Sequence, residues 1–238
     1  MRWLSLLLMA IAASSQAAEV KMSVGLALPP YVIADENRGM ELDIVRAALE
    51  QKGHTLSVKY VPFMRVKTSL EEGKVDAAMT VNESSGLSGV HYSDVHMTYQ
   101  NVAIGLEKNG FNVAGVTDLG RFSIIAFQDA TKYLGKEFAA MAKSNSGYKE
   151  MARQEAQIKL LFAGRTQLVV MDRNIFTYYR GSETSVDVSA PVSLFEVFPP
   201  TDYKVAFGSA AIRDDFNAGL AQLKSSGRYQ QIMDGYLK

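Results

Sequence analysis

The sequence predicts an α/β protein built as two units, each with a parallel-rich sheet and helices on both faces. Three observations lead there. Residues 20–81 run strand, helix, strand, helix, strand, the order of a parallel sheet covered by helices. That order restarts at residue 121. Between the two units lies an apolar strand at 100–106 with no Pro/Ser/Gly-rich linker, which fits a strand crossing as a hinge of few residues.

Each element follows from its local periodicity. Over 20–27, Val20, Met22, Val24 and Leu26 alternate with Lys21, Ser23 and Gly25, a half-buried strand. Pro29-Pro30 stops it. A helix spans 41–52, because Leu42, Val45 and Leu49 recur at helical spacing and Gly53 follows as a stop. Residues 55–61 alternate again through Leu56, Val58 and Tyr60. Pro62 opens a helix that reaches Leu70, and 75–81 is the third strand. In the second unit, 121–127 is a strand. Two helices follow, 131–143 with Leu134, Phe138 and Met141 on one face, and 150–162 closed by Gly164. Residues 167–171 form an apolar strand followed by a short helix at 173–179. A strand at 203–207 and helices at 214–224 and 228–236 complete the chain.

Composition narrows the function. At 238 residues the chain can be one large domain or two small lobes. Hydrophobic residues at 47% and charged residues at 21% describe a globular protein. Twenty-five basic and 25 acidic side chains cancel, so there is no field to hold a nucleic acid backbone. The absence of cysteine excludes disulfides, Cys-ligated metals, thiol nucleophiles and lipid attachment at an N-terminal cysteine.

Residues 1–17 read as a cleavable signal peptide: Arg2, an apolar stretch from Trp3 to Ala13, then the small-residue end Ser15-Gln16-Ala17. The stretch is short of the ~20 residues that span a bilayer; an uncleaved anchor is the competing reading. Removing Arg2 leaves a net charge of −1. The expectation is an exported, unlipidated periplasmic protein, a monomer with no stable membrane insertion.

Several motifs, in order, resemble the periplasmic solute-binding proteins of family 3, the polar amino-acid ABC transporter type. They are Leu28-Pro29-Pro30-Tyr31, Gly39-Met40-Glu41-Leu42-Asp43-Ile44, Gly73-Lys74-Val75-Asp76-Ala77, His91-Tyr92-Ser93-Asp94, Asp118-Leu119-Gly120-Arg121, the run from Leu161 to Asp172, and Ser226-Gly227-Arg228-Tyr229. The chain looks like a divergent member. The resemblance implies a two-lobe, type II clamshell. One lobe comprises 18–99 plus about 208–238, the other 100–207, joined by hinge strands. It implies no enzyme activity, no cofactor and no metal. It implies a small polar, amine-bearing solute bound between the lobes for uptake through an inner-membrane ABC permease. A ligand-sensing clamshell that reports to a receptor is the alternative, and a small-molecule dehydratase or lyase on the same fold is a weaker one. No Gly-x-Ser-x-Gly elbow and no Ser/His/Asp set supports the enzyme. His91 and His96 flank 92–95 without a third ligand at metal spacing, and His54 is expected to be exposed.

The same resemblance nominates ligand-binding residues. Asp172 ends an apolar strand, where α/β ligands sit, and matches an aspartate that holds a ligand ammonium. Its other reading is the N-cap of the following helix. Tyr31 is either a lid against ligand or core packing, and Phe63 stands between the same two readings. Thr80, Asn82 and Glu83 are ligand contacts or an ordinary polar loop. Phe127, Gln128 and Asp129 lead from strand to helix, where family members face a ligand carboxylate with free N–H groups. One departure concerns that carboxylate. Family amino-acid binders clamp it with an arginine in the 80–92 region, and this chain has no arginine between Arg65 and Arg121. Arg65 replaces it, or the ligand is not a free α-amino acid; a solvated helix residue is the plainer reading of Arg65.

Overall fold

The computed structural model describes residues 17–237. The expected signal peptide therefore lies outside the described residues except for Ala17. The first sheet begins with β1 (Glu19–Gly25), the short pair β2 (Ala27–Leu28) and β3 (Val32–Ile33), and α1 (Met40–Glu50). Next come β4 (Thr55–Val61), α2 (Val66–Glu71), β5 (Ala77–Val81), β6 (His91–Tyr92) and β7 (Met97–Tyr99). The chain then crosses to β8 (Asn101–Leu106), β9 (Ile124–Phe127), α3 (Ala130–Tyr133), α4 (Gly135–Ser144) and β10 (Tyr148–Met151). The second unit continues with α5 (Gln154–Phe162), β11 (Leu168–Asp172), α6 (Arg173–Ser182) and β12 (Val192–Phe195). The chain returns through β13 (Thr201–Phe207) to α7 (Ala210–Ser225) and α8 (Arg228–Tyr236).

The two sheets are built alike. The first has the order β4-β1-β5-β13-β6, with β7 also on β13; the second has the order β10-β9-β11-β8-β12. In the first, β1 pairs in parallel with β4 and β5, and β13 lies antiparallel on β5. In the second, β9 pairs in parallel with β10 and β11, and β8 lies antiparallel on β11. Each lobe thus takes three parallel strands of its own and adds, in antiparallel sense, the strand that has just crossed.

Side-chain period decides which faces are buried. Val20, Met22 and Val24 of β1 are fully buried, as are Ala126 of β9 and the four residues Leu168 to Met171 of β11; Asp172, which ends β11, is 3% exposed. Helix α1 buries Leu42, Val45 and Leu49 against α7, whose Phe216, Leu220 and Leu223 face it. The close approach of these helices rests on Gly219, where a Cβ would lie 2.0 Å from the Ala48 carbonyl oxygen. Ile175 of α6 joins this first core rather than the second, so the lobes touch through packed side chains.

Four expectations are corrected. Residues 201–207 were placed in the second lobe, but β13 pairs in the first sheet, which moves the return crossing from 207 to about 200. The expected helix at 150–162 begins as strand β10, with Lys149 and Glu150 exposed. A polar edge strand of four residues lacks the apolar alternation that would reveal it. The expected helix at 131–143 is broken, because Gly135 adopts φ +90°, a left-handed conformation that ends α3. His54 is 2% exposed rather than solvated: its Nδ1 accepts from the Ala18 N–H at 3.2 Å, and its Nε2 lies 3.1 Å from Asp215. Residues 192–195, to which the sequence reading assigns no element, form β12, and its pairing with β8 explains the burial of β8 on that edge.

Candidate functional site

The two crossings run side by side, with Thr201 paired to Tyr99. There a cavity of about 950 Å³ opens between the sheets, and both lobes supply its wall. The first contributes Leu26, Phe63, Thr80, Asn82 and Tyr203; the second contributes Phe127, Gln128, Asp129, Tyr133, Gln154 and Asp172. Tyr99 and Phe198 line it from the crossing segments. The volume suits a small molecule, for which ~300–1,000 Å³ is usual. Phe63, Leu26 and Tyr133, three of the five exposed large hydrophobic side chains among the described residues, line the cavity; Met64 and Leu194 lie off it.

Asp172 is both cap and wall. Its Oδ1 accepts from the backbone N–H groups of Asn174 at 2.9 Å and Ile175 at 3.1 Å, which caps α6. Oδ1 also accepts from the Tyr31 hydroxyl at 2.7 Å, and Oδ2 accepts from the Gln100 N–H at 2.9 Å. Burial pushes the Asp172 carboxyl above its ordinary range despite these four donors. The N-cap expected from the sequence is therefore present, and the same side chain stands on the cavity wall. Gln100 fixes the hinge around it: the side-chain amide donates to the carbonyls of Asn101 at 2.9 Å and Phe198 at 2.8 Å, bridging both crossings.

Tyr31 is core rather than lid. It is fully buried, stacks on Tyr99 with ring centroids 3.8 Å apart, and is absent from the cavity wall. Burial and the neighbouring Asp172 carboxylate raise its phenol well above the ordinary value, so it remains a hydrogen-bond donor. Beneath it lies a second polar group that sequence reasoning missed. Glu41 is 0% exposed and accepts from Thr80 Oγ1 at 2.8 Å, His96 Nε2 at 2.8 Å and the Tyr99 hydroxyl at 2.7 Å. These donors offset the cost of burying a carboxyl. They also turn the Thr80 hydroxyl away from the cavity and hold Thr80 at φ +58°, strained for a β-branched residue.

The other expected residues divide. Phe63, Asn82, Phe127, Gln128 and Asp129 stand on the wall. Asn82 also caps the turn that follows, accepting from the Ser84 N–H at 3.1 Å. Glu83 is off the wall and pairs with Lys204 at 2.5 Å. Arg65 is exposed at the end of a 3₁₀ turn and off the wall as well. Asp129 sits at φ +63° and pairs with Lys132 at 2.6 Å. Its N–H donates to Glu150 Oε2 at 2.7 Å, and the Thr131 N–H donates to Glu150 Oε1 at 3.1 Å. Glu150 was invisible in the sequence because strand β10 was. Among the described residues no group of three or more His, Asp or Glu could hold a metal ion, and no helix is long and apolar enough to cross a membrane.

The profile of the bacterial extracellular solute-binding proteins, family 3, matches residues 20–238. The chain belongs to this family. No curated protein matches it. Among solved structures it is similar to an ancestral cationic amino-acid solute binding protein, at 18% identity and TM-score 0.72, covering 92% of this chain and 96% of that one. It is similar to the substrate binding protein of an amino acid ABC transporter, at 20% identity and TM-score 0.60, with coverages of 92% and 98%. It is also similar to a histidine kinase sensor domain, at 20% identity and TM-score 0.63, with coverages of 91% and 96%. The fold is that of the type II periplasmic-binding-protein clamshell, as the sequence predicts, and the family is one of binding proteins.

Proposed function

We propose that this chain is a periplasmic receptor that binds a small, amine-bearing solute in the interlobe cavity and presents it to an inner-membrane ABC permease. The observation that carries this reading is the cavity itself, whose wall is shared by both lobes and holds the buried carboxylate of Asp172. A solute bridging both walls favours the closed arrangement by the difference in its affinity for closed and open forms. An ammonium is the natural partner for a carboxylate withdrawn from water. Asp172, Phe63, Asn82, Phe127, Gln128 and Asp129 are assigned to ligand contact, and no residue is assigned to catalysis.

Thermal-shift screening of the purified protein against amines, amino acids, polyamines and organic acids tests this. At 100 times its dissociation constant, a ligand stabilises the fold by ~2.7 kcal/mol, so a true ligand raises the melting temperature clearly. Silence with every nitrogenous solute overturns the reading. Asp172→Asn, which keeps the shape, is expected to lose the shift; a folded variant with an unchanged shift removes Asp172 from the site. The likeness to a histidine kinase sensor domain favours a second reading, in which the liganded clamshell reports to a membrane receptor. Co-purification with a permease or with a receptor domain separates the two.

A further inference from the structure

We infer that the ligand is an organic amine without a carboxylate, its apolar body held between aromatic walls. This rests on the solute-binding reading above and sharpens it. The first observation is charge. The cavity wall includes Asp129 and Asp172 and no lysine, arginine or histidine. Three lysines of the neighbouring segments are engaged elsewhere: Lys132 with Asp129 at 2.6 Å, Lys204 with Glu83 at 2.5 Å, and Lys67 with the Ser85 carbonyl at 3.3 Å; Arg173, beside Asp172, pairs with Glu196. A carboxylate carried into this cavity meets the Asp172 carboxyl and an Asp129 already paired with Lys132, with no cation on the wall to receive it, and stranding it there is costly.

The second observation is that the protein supplies a carboxylate itself. Asp129 stands on the cavity wall, and its backbone N–H and that of Thr131, two residues on, share one acceptor. Both are taken by Glu150, at 2.7 and 3.1 Å. The Thr131 hydroxyl, at 3.0 Å, and the Tyr148 hydroxyl, at 2.8 Å, complete the cradle. Burial of Glu150 acts to raise its carboxyl, but the hydrogen bonds from Thr131, Tyr148 and Asp129 outweigh it and hold the carboxyl below its ordinary value. The donors are therefore occupied by a group that is an anion at neutral pH. The third observation is an acceptor with nothing to accept: Gln154 Oε1 is buried on the cavity wall without a hydrogen-bond partner. Such a group costs free energy until a donor reaches it, and an ammonium offers three.

Matched pairs test the inference by calorimetry: 2-phenylethylamine against phenylalanine, tyramine against tyrosine, cadaverine against lysine. The amine of at least one pair is expected to bind roughly 100-fold or more tightly than its amino acid. An amino acid that binds as tightly as its amine overturns the inference and leaves the solute-binding reading standing. Failure of every amine and every amino acid overturns both. Glu150→Ala releases the backbone donors, and the amine-to-acid ratio should narrow by about tenfold. Glu150→Gln keeps the shape of β10 and should move the ratio in the same direction by less. An unchanged ratio in both variants, with the wild-type circular dichroism spectrum, overturns the part assigned to Glu150.

Discussion

At the scale of residues, the site depends on carboxylates that the fold has already provided with donors. Asp172 takes four, and Tyr31 is the one among them that comes from a side chain of the other lobe. Tyr31→Phe keeps the stacking on Tyr99 and removes the hydroxyl. It should cost about 1.5–3 kcal/mol in urea unfolding, the range for a hydrogen bond to a charged group. The raised Asp172 carboxyl also sets a pH dependence. As pH falls through that raised value the ion pair with an ammonium is lost, so amine affinity should fall on acidification, and at a higher pH than for an ordinary carboxylate, measurable by calorimetry in a pH series. Glu150 behaves oppositely. Its folded-state value is lowered, so its contribution to stability is complete above the ordinary carboxylate value and disappears as pH falls through the lowered one. The stability gap between wild type and Glu150→Gln should therefore close in acid, as urea midpoints would show.

At the scale of elements, two glycines make opposite predictions. Gly219 lies where α7 meets α1, with no room for a methyl group beside the Ala48 carbonyl. Gly219→Ala forces the helices apart and should cost ~1–3 kcal/mol or more. Gly235 lies in exposed α8 with nothing within 4 Å of an added Cβ. Gly235→Ala should stabilise by about 0.5–1 kcal/mol, because alanine loses less backbone entropy in a helix. Both are read from thermal melts. Sequence periodicity located α1 and α7 because each buries one continuous apolar stripe. It failed at β10 and β12, which are short edge strands whose reason to exist is the neighbour they pair with.

At the scale of the molecule, the lobes are joined by more than two crossings. Ile175 is buried in the core of the first lobe, Tyr179 packs against both cores, and Gln100 ties one crossing to the other. The apolar contact across the junction couples the lobes, so the protein should unfold in a single calorimetric transition whose van't Hoff and calorimetric enthalpies agree. Two resolved transitions would show independent lobes. A ligand that spans the cavity should raise that one transition as a whole.

The sequence alone determined the α/β class, the two-unit order, the crossing strand and the family, because these rest on local periodicity and on motifs contiguous in the chain. It also nominated Asp172, Phe63 and 127–129, which the fold brings together on the cavity wall. Only the tertiary structure decided what those groups are free to do. Thr80 is turned toward Glu41, Tyr31 is spent on Asp172, Arg65 lies outside, and Glu150 fills the donors at 129–131. Each of these is a pairing between residues far apart in sequence, and hydrogen-bond satisfaction in a packed interior is a property of the assembled neighbours, not of any segment read by itself.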